Sequence, residues 1–203
     1  MDRILETARR GDVATVREHL ARDPSLLFAK SGGHNRTLLW AATRGNRLDL
    51  VLDLLGAGAD PNVPGRIRAE IAVLLPPYCI ARRYRRQDLA EALLRAGAEI
   101  DVYSACWLGE AERVRRLLDA SPARLHREQE ADSVWRVTPL HFAVAGGQDA
   151  LIRELLDRGA AVRPYTRLLS NIAARSKRPD LIETLLEAGA DPDLAREFGV
   201  AQP

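Results

Sequence analysis

Apolar residues recur along this chain at the spacing of one helix face. Leu50, Val51, Leu54 and Leu55 form one such run, and Leu181, Ile182, Leu185 and Leu186 form another. Side chains three and four residues apart share a face of a helix, so each run predicts an amphipathic helix with one buried stripe. Both runs end on a Gly-Ala pair, Gly58-Ala59 and Gly189-Ala190, and the same ending follows Leu93-Leu94 at Gly97-Ala98 and Leu155-Leu156 at Gly159-Ala160. A glycine just past the last apolar residue can take the left-handed conformation that closes a helix. Seventeen residues before the first leucine of each pair, a second pattern begins: Thr37-Leu38-Leu39-Trp40, Pro76-Pro77-Tyr78-Cys79, Thr138-Pro139-Leu140-His141 and Leu168-Leu169-Ser170-Asn171. A small residue stands two places beyond each tetrapeptide, at Ala42, Ala81, Ala143 and Ala173. Self-similarity at this period predicts stacked helix pairs, none of which can bury its apolar face without a neighbour.

The run Thr138-Pro139-Leu140-His141 with Ala143, and the Leu-Leu-x-x-Gly-Ala-Asp/Glu runs at 54–60, 93–99 and 185–191, resemble the ankyrin repeat family. Two more units lack the Thr-Pro start. Residues 3–27 align with 101–125 without a gap, through Gly11/Gly109, Val16/Val114, Leu20/Leu118, Pro24/Pro122 and Leu27/Leu125. The resemblance implies an all-α fold, an ankyrin-repeat α-solenoid of stacked helix-turn-helix units with short hairpin fingers and a concave groove. Six repeats are expected, at about 4–35, 36–70, 75–99, 101–134, 137–164 and 168–193, within a single domain spanning 1–203. The first three resemble the last three in order, as a duplicated triplet would. Residues 194–203 read as a truncated seventh repeat or a tail, because Phe198–Pro203 resembles Val134–Pro139.

Composition narrows the function classes. Net charge is +2, which gives no global field for nucleic acid. Lys30 and Lys177 are the only lysines among 30 basic residues; with abundant Ala and Leu, this arginine bias suggests a bacterial genome rich in GC. No apolar run is long enough to span a membrane and no signal segment leads the chain, so a cytoplasmic location is expected. Cys79 and Cys106 fall at inner-helix positions and read as buried thiols rather than a disulfide. His19, His34, His126 and His141 show no metal-ligand spacing. No phosphate-cradling loop or nucleophile motif is present, so neither catalytic residue, cofactor nor metal is expected. His141 reads as structural, its ring hydrogen-bonding neighbouring backbone across the inter-repeat loop, as the resemblance implies.

The resemblance also implies where a partner docks. The position two residues past the small residue of each first helix lines the groove, and it carries Arg9, Arg44, Arg83, Trp107, Ala145 and Arg175. Arginine and tryptophan dominate binding energy at many interfaces, through bidentate pairing and large apolar area. Tyr84 sits beside Arg83 within Arg82–Arg86, and Arg175–Arg178 echoes that basic run. The fingers are uneven: the links after Asp60 and after His126 are long, and the second holds Trp135, expected as a contact near a finger tip. Partner-binding residues are thus expected at Arg44, Arg83, Tyr84, Trp107, Trp135 and Arg175. The chain reads as a non-enzymatic module that binds another protein through an acidic or extended segment. It is expected to be a monomer, with an end-to-end dimer as the alternative. A regulatory or inhibitory subunit and an effector are alternatives of the same kind; polyanion or nucleic-acid binding ranks lower.

Overall fold

A computed structural model describes residues 1–67, 73–130, 136–175, 177–193 and 197. The described residues contain twelve α-helices in two compact units, α1 to α6 in the first and α7 to α12 in the second. Among the described residues, and apart from Val73, which groups with the second unit, the boundary falls between Glu99 and Ile100, where the first triplet in the sequence gives way to the second.

Unit 1 holds α1 (Asp2–Arg10), α2 (Val13–Arg22), α3 (Leu38–Arg44), α4 (Leu48–Gly56), α5 (Pro77–Arg83) and α6 (Gln87–Arg95). The odd-numbered helices are inner: α1 packs on α3, and α3 on α5. Every residue of α3 from Leu38 to Thr43 is buried, whereas α2 buries only Val16. An inner helix with neighbours on several sides, such as α3, must be apolar nearly all round. At the end of the row, α1 buries only Ile4, Leu5 and Ala8. An outer helix covers the stack on one side and keeps a polar face. Ala42, Ala81, Ala105, Ala143 and Ala173 are at most 1% exposed, as expected for small residues at close helix approaches.

Unit 2 repeats the plan with α7 (Val102–Leu108), α8 (Ala111–Ala120), α9 (Pro139–Gly146), α10 (Asp149–Asp157), α11 (Thr166–Arg175) and α12 (Pro179–Glu187). Helix α9 packs between α7 and α11 and buries Pro139 through Ala145. Three inner helices, α3, α7 and α9, start where side chains cap them. Thr37 Oγ1 accepts from Trp40 N at 3.2 Å, Asp101 Oδ1 from Ser104 N at 2.7 Å, and Thr138 forms a capping box with His141.

Glycine is required where inner helices end closest together. A Cβ on Gly45 would lie 1.9 Å from the Arg9 carbonyl oxygen, and one on Gly146 would lie 2.4 Å from that of Trp107. Two hairpins project as fingers. In unit 1, β1 (Gly65–Arg66) pairs antiparallel with β2 (Leu74–Leu75), Gly65 opposite Leu75. In unit 2, β3 (Gln129–Glu130) pairs with β4 (Arg136–Val137), Gln129 opposite Val137. Side chains anchor the first hairpin: Arg36 donates to the carbonyls of Arg66 and Ile67 at 2.7 and 3.0 Å, and Trp40 Nε1 to that of Leu75 at 2.9 Å. Trp135 and the Phe198–Pro203 segment lie outside the described residues.

Candidate interaction surface

Because the inner helices after α1 are buried along most of their length, their side chains reach solvent mainly in the last turn. The predicted groove residues stand there, and the structure divides them. Arg44 is half-buried, its guanidinium 5.7 Å from the centroid of the Trp40 ring, and Arg36 stands 4.9 Å from the same ring. Burial, followed by the nearby Arg44 charge, lowers the Arg36 pKa. Arg83 is exposed and Tyr84 is 46% exposed. Arg175 is exposed and donates to Asn171 Oδ1 at 3.0 Å. Arg9 is exposed but held by Glu6, which accepts from it at 2.8 and 2.7 Å and from Arg10 at 2.9 Å. Those two guanidinium groups pull the Glu6 carboxyl down to about 2.

Trp107 departs from expectation. It is 4% exposed and belongs to the core of unit 2, as does Ala145 at 8%. The position that carries arginine in α3, α5 and α11 is here filled by a large apolar ring. At a site this dry the ring contributes its area to folding rather than to an incoming partner.

Sequence reasoning places Arg85 and Arg86 in a turn between helices but misses the backbone conformation that this turn shares in every pair. Two residues on from the groove position, in all six helix pairs, the backbone is left-handed: Gly11, Asn46, Arg85, Gly109, Gly147 and Lys177 have φ between 55° and 82°. The next residue is the N-cap of the outer helix: Asp12, Arg47, Arg86, Glu110, Gln148 and Arg178. Three of these N-cap residues reach back to the preceding pair. Arg47 donates to the Arg9 carbonyl at 3.2 Å, Gln148 to that of Trp107 at 2.9 Å, and Arg178 to Asp149 at 2.8 Å. The signal was present as a column of Gly, Asn, Arg and Lys at one register.

Many other arginines are engaged in the frame. Arg17 pairs with Asp53 between α2 and α4, and Arg115 grips Glu154 between α8 and α10, with Nε and Nη2 both 2.9 Å from carboxylate oxygens. Arg158 reaches back from the end of α10 to Asp119 at 2.8 Å. Such exposed pairs orient neighbouring repeats and add little stability each. In unit 2, Glu128 accepts from Tyr165 Oη at 2.5 Å and from Arg136 at 3.2 Å, tying the finger to the following turn.

His141 is fully buried. Its Nδ1 accepts from the Thr138 backbone N–H at 3.0 Å, within its own repeat, which leaves the proton on Nε2. Among the described residues Nε2 has no hydrogen-bond partner, and the Tyr165 ring stands edge-on at 5.1 Å. The expected bond across the inter-repeat loop is therefore replaced by a cap and an aromatic contact. Burial drives the His141 pKa down to about 3, too low for acid–base work near neutrality. Cys79 and Cys106 are both buried thiols, and burial pushes Cys106 up to about 12, far from a reactive thiolate. No helix among the described residues is long and apolar enough to cross a membrane.

Paired inner and outer helices, alanine-lined approaches and hairpin fingers accord with what comparison with known families gives. The profile described as Ankyrin repeats (3 copies) matches residues 102–196, and that described as Ankyrin repeat matches residues 34–66. The chain belongs to the ankyrin repeat family. This ankyrin repeat protein is 26% identical over 176 residues to a putative E3 ubiquitin-protein ligase, XBAT31, of Arabidopsis thaliana, a match covering 78% of the present chain and 37% of the ligase. It is 28% identical over 184 residues to the Ankyrin repeat domain-containing protein SAT10 of Stachybotrys chartarum, covering 87% of the chain and 9% of that protein. Rabankyrin-5 of Mus musculus is 28% identical over 132 residues, with 60% of the chain and 11% of the relative covered. The chain thus spans little more than a third of the first of these relatives and about a tenth of the other two. Ankyrin repeats are, in general, modules that bind other proteins.

Proposed function

We propose that this ankyrin repeat protein is a non-enzymatic, cytoplasmic interaction module of six repeats that binds a partner protein through the last turns of its inner helices and its fingers. One observation carries the reading. Helices α3, α5 and α11 bury most of their residues ahead of the final turn, and there Arg44, Arg83, Tyr84 and Arg175 present charge and aromatic area. Guanidinium groups pair bidentately with carboxylates, and Tyr84 adds an amphipathic ring, a combination suited to an acidic or extended segment. Trp107 is excluded from the site by its burial. A regulatory or inhibitory subunit, or an effector, would use the same surface, and a bacterial origin fits the arginine-rich composition.

The test is affinity capture from the native cell with wild-type protein beside an Arg44→Ala/Arg83→Ala/Arg175→Ala variant, read by mass spectrometry with thermal melting in parallel. A protein retained by the wild type and lost by a variant of near-normal melting temperature supports the site. Equal recovery by both moves binding off these turns, and a large drop in melting temperature assigns the arginines to the frame instead.

A further inference from the structure

The turn between α5 and α6 breaks two local rules at once. Arg85 has φ of 55°, in the left-handed region where Gly11, Gly109 and Gly147 stand in three of the equivalent turns and Asn46 and Lys177 in the other two. An L side chain there crowds its own backbone, so arginine is a costlier choice than glycine. Arg86 is the N-cap of α6 and makes no capping bond; a cation is also on the wrong side of the helix dipole at that end. The backbone of this turn is otherwise built like the one between α3 and α4. Arg85 N donates to Arg82 O at 3.0 Å and Arg86 N to Ala81 O at 2.9 Å, matching Asn46 to Thr43 and Arg47 to Ala42, both at 3.1 Å.

In other pairs the arginine or glutamine at the N-cap is explained by what it touches. The Arg47 side chain fills the space over Gly11, where a Cβ would come within 2.5 Å of its Cδ. Gln148 lies over Gly109 in the same way, its Oε1 2.3 Å from the position of a Cβ. Each seat exists because the residue beneath is glycine. For Arg86 the residue at that place in the preceding pair is Asn46, which carries a Cβ in the left-handed position where Arg47 and Gln148 have a glycine beneath them. Among the described residues the Arg85 and Arg86 side chains make no hydrogen bond or ion pair, and both are exposed. Tyr84, 46% exposed, precedes them. Local rules broken without an intramolecular compensation are what a binding site leaves in a sequence.

We propose that Tyr84-Arg85-Arg86 in unit 1 is a docking point for an acidic segment of a partner protein, retained at a cost to stability. The proposal rests on the interaction reading above and narrows it to one turn. Two adjacent planar guanidinium groups suit carboxylates, and the tyrosine ring can lie against the apolar part of an acidic side chain. A nucleic acid is the less favoured ligand, because a chain of net charge +2 lacks the broad basic face that phosphate backbones require.

The experiment measures fluorescence anisotropy with a labelled oligo-glutamate peptide at low salt, beside thermal melting, for the wild type, Arg85→Gly, Arg86→Gln and Arg3→Gln. Arg3 is an exposed arginine of α1 and serves as a charge control. The wild type should bind, and Arg85→Gly and Arg86→Gln should each weaken affinity by about fivefold, as loss of one exposed ion pair implies. Arg85→Gly should also raise the melting temperature by about 3 °C through release of strain. A purely structural role cannot give higher stability with weaker binding. A rise in melting temperature with unchanged affinity overturns the proposal, as does an equal loss in Arg3→Gln, no peptide binding by the wild type, or tighter binding of a single-stranded oligonucleotide. If Arg85→Gly still captures a native partner that the Arg44/Arg83/Arg175 variant loses, the module stands and this turn is not its docking point.

Discussion

At the scale of single residues, caps and one buried imidazole carry the sharpest consequences. Thr37 is 4% exposed and its hydroxyl accepts from Trp40 N, so Thr37→Ala leaves a buried N–H without its partner. The expected cost is about 1 kcal/mol, measurable by urea unfolding. His141 sets a pH dependence. Its ordinary pKa is 6.5, and in the folded protein it is about 3. The unfolded chain therefore takes up a proton below pH 6.5 while the folded one stays neutral, so the stabilisation is complete above pH 6.5 and is lost as pH falls toward 3. The slope approaches about 1.4 kcal/mol per pH unit for one proton. Lowered carboxylates act in the same direction, but Glu6, for example, enters only below its ordinary value of 4.5. Between pH 6.5 and 4.5, His141→Gln should therefore flatten the curve of unfolding free energy against pH; a slope unchanged in the variant refutes this assignment.

At the scale of elements, backbone proximity decides more than side-chain chemistry. The ends of α1 and α3 approach so closely that a Cβ on Gly45 would lie 1.9 Å from backbone, an atom that cannot swing aside as a side chain can. Gly45→Ala should cost more than about 2 kcal/mol and loosen hydrogen-exchange protection in α1 and α3 first. Gly33 is the contrasting case: a Cβ there would meet nothing within 4 Å, but φ is 71°. Gly33→Ala should show only the smaller conformational penalty of a left-handed residue, about 1 kcal/mol. Outer helices are tied differently. Arg115→Gln removes the grip on Glu154 and should lower the melting temperature slightly in low salt, with the difference vanishing at high salt as screening takes over.

At the scale of the whole molecule, the near balance of charge matters most. With 30 basic and 28 acidic residues, and many arginines tied to carboxylates of neighbouring helices, the chain offers local clusters rather than a strong net field. Binding of a protein partner should accordingly weaken far less than the roughly thousandfold or greater loss expected between about 50 and 200 mM salt for a ligand held by six or more phosphate contacts. A titration series across that range checks it; a polyanion-like slope would reverse the ranking of partners.

The period, the helix pairs, the small residues between them and the repeat family were all legible in the chain, because they follow from short-range spacing that any single repeat displays. The leucine stripes, the Gly-Ala closures and Thr138–His141 needed no knowledge of what lay opposite. The register of the candidate surface was also legible, since it is counted along the chain from the small residue of each inner helix. Which members of that register meet solvent was not. Trp107 and Arg83 occupy equivalent places in the pattern, yet one is core and the other surface, because exposure depends on what packs alongside. Likewise, Arg47 and Arg86 are the same residue at the same position. Their surroundings separate them, since Arg47 lies over Gly11, whereas the residue at the matching place in the pair before Arg86 is Asn46.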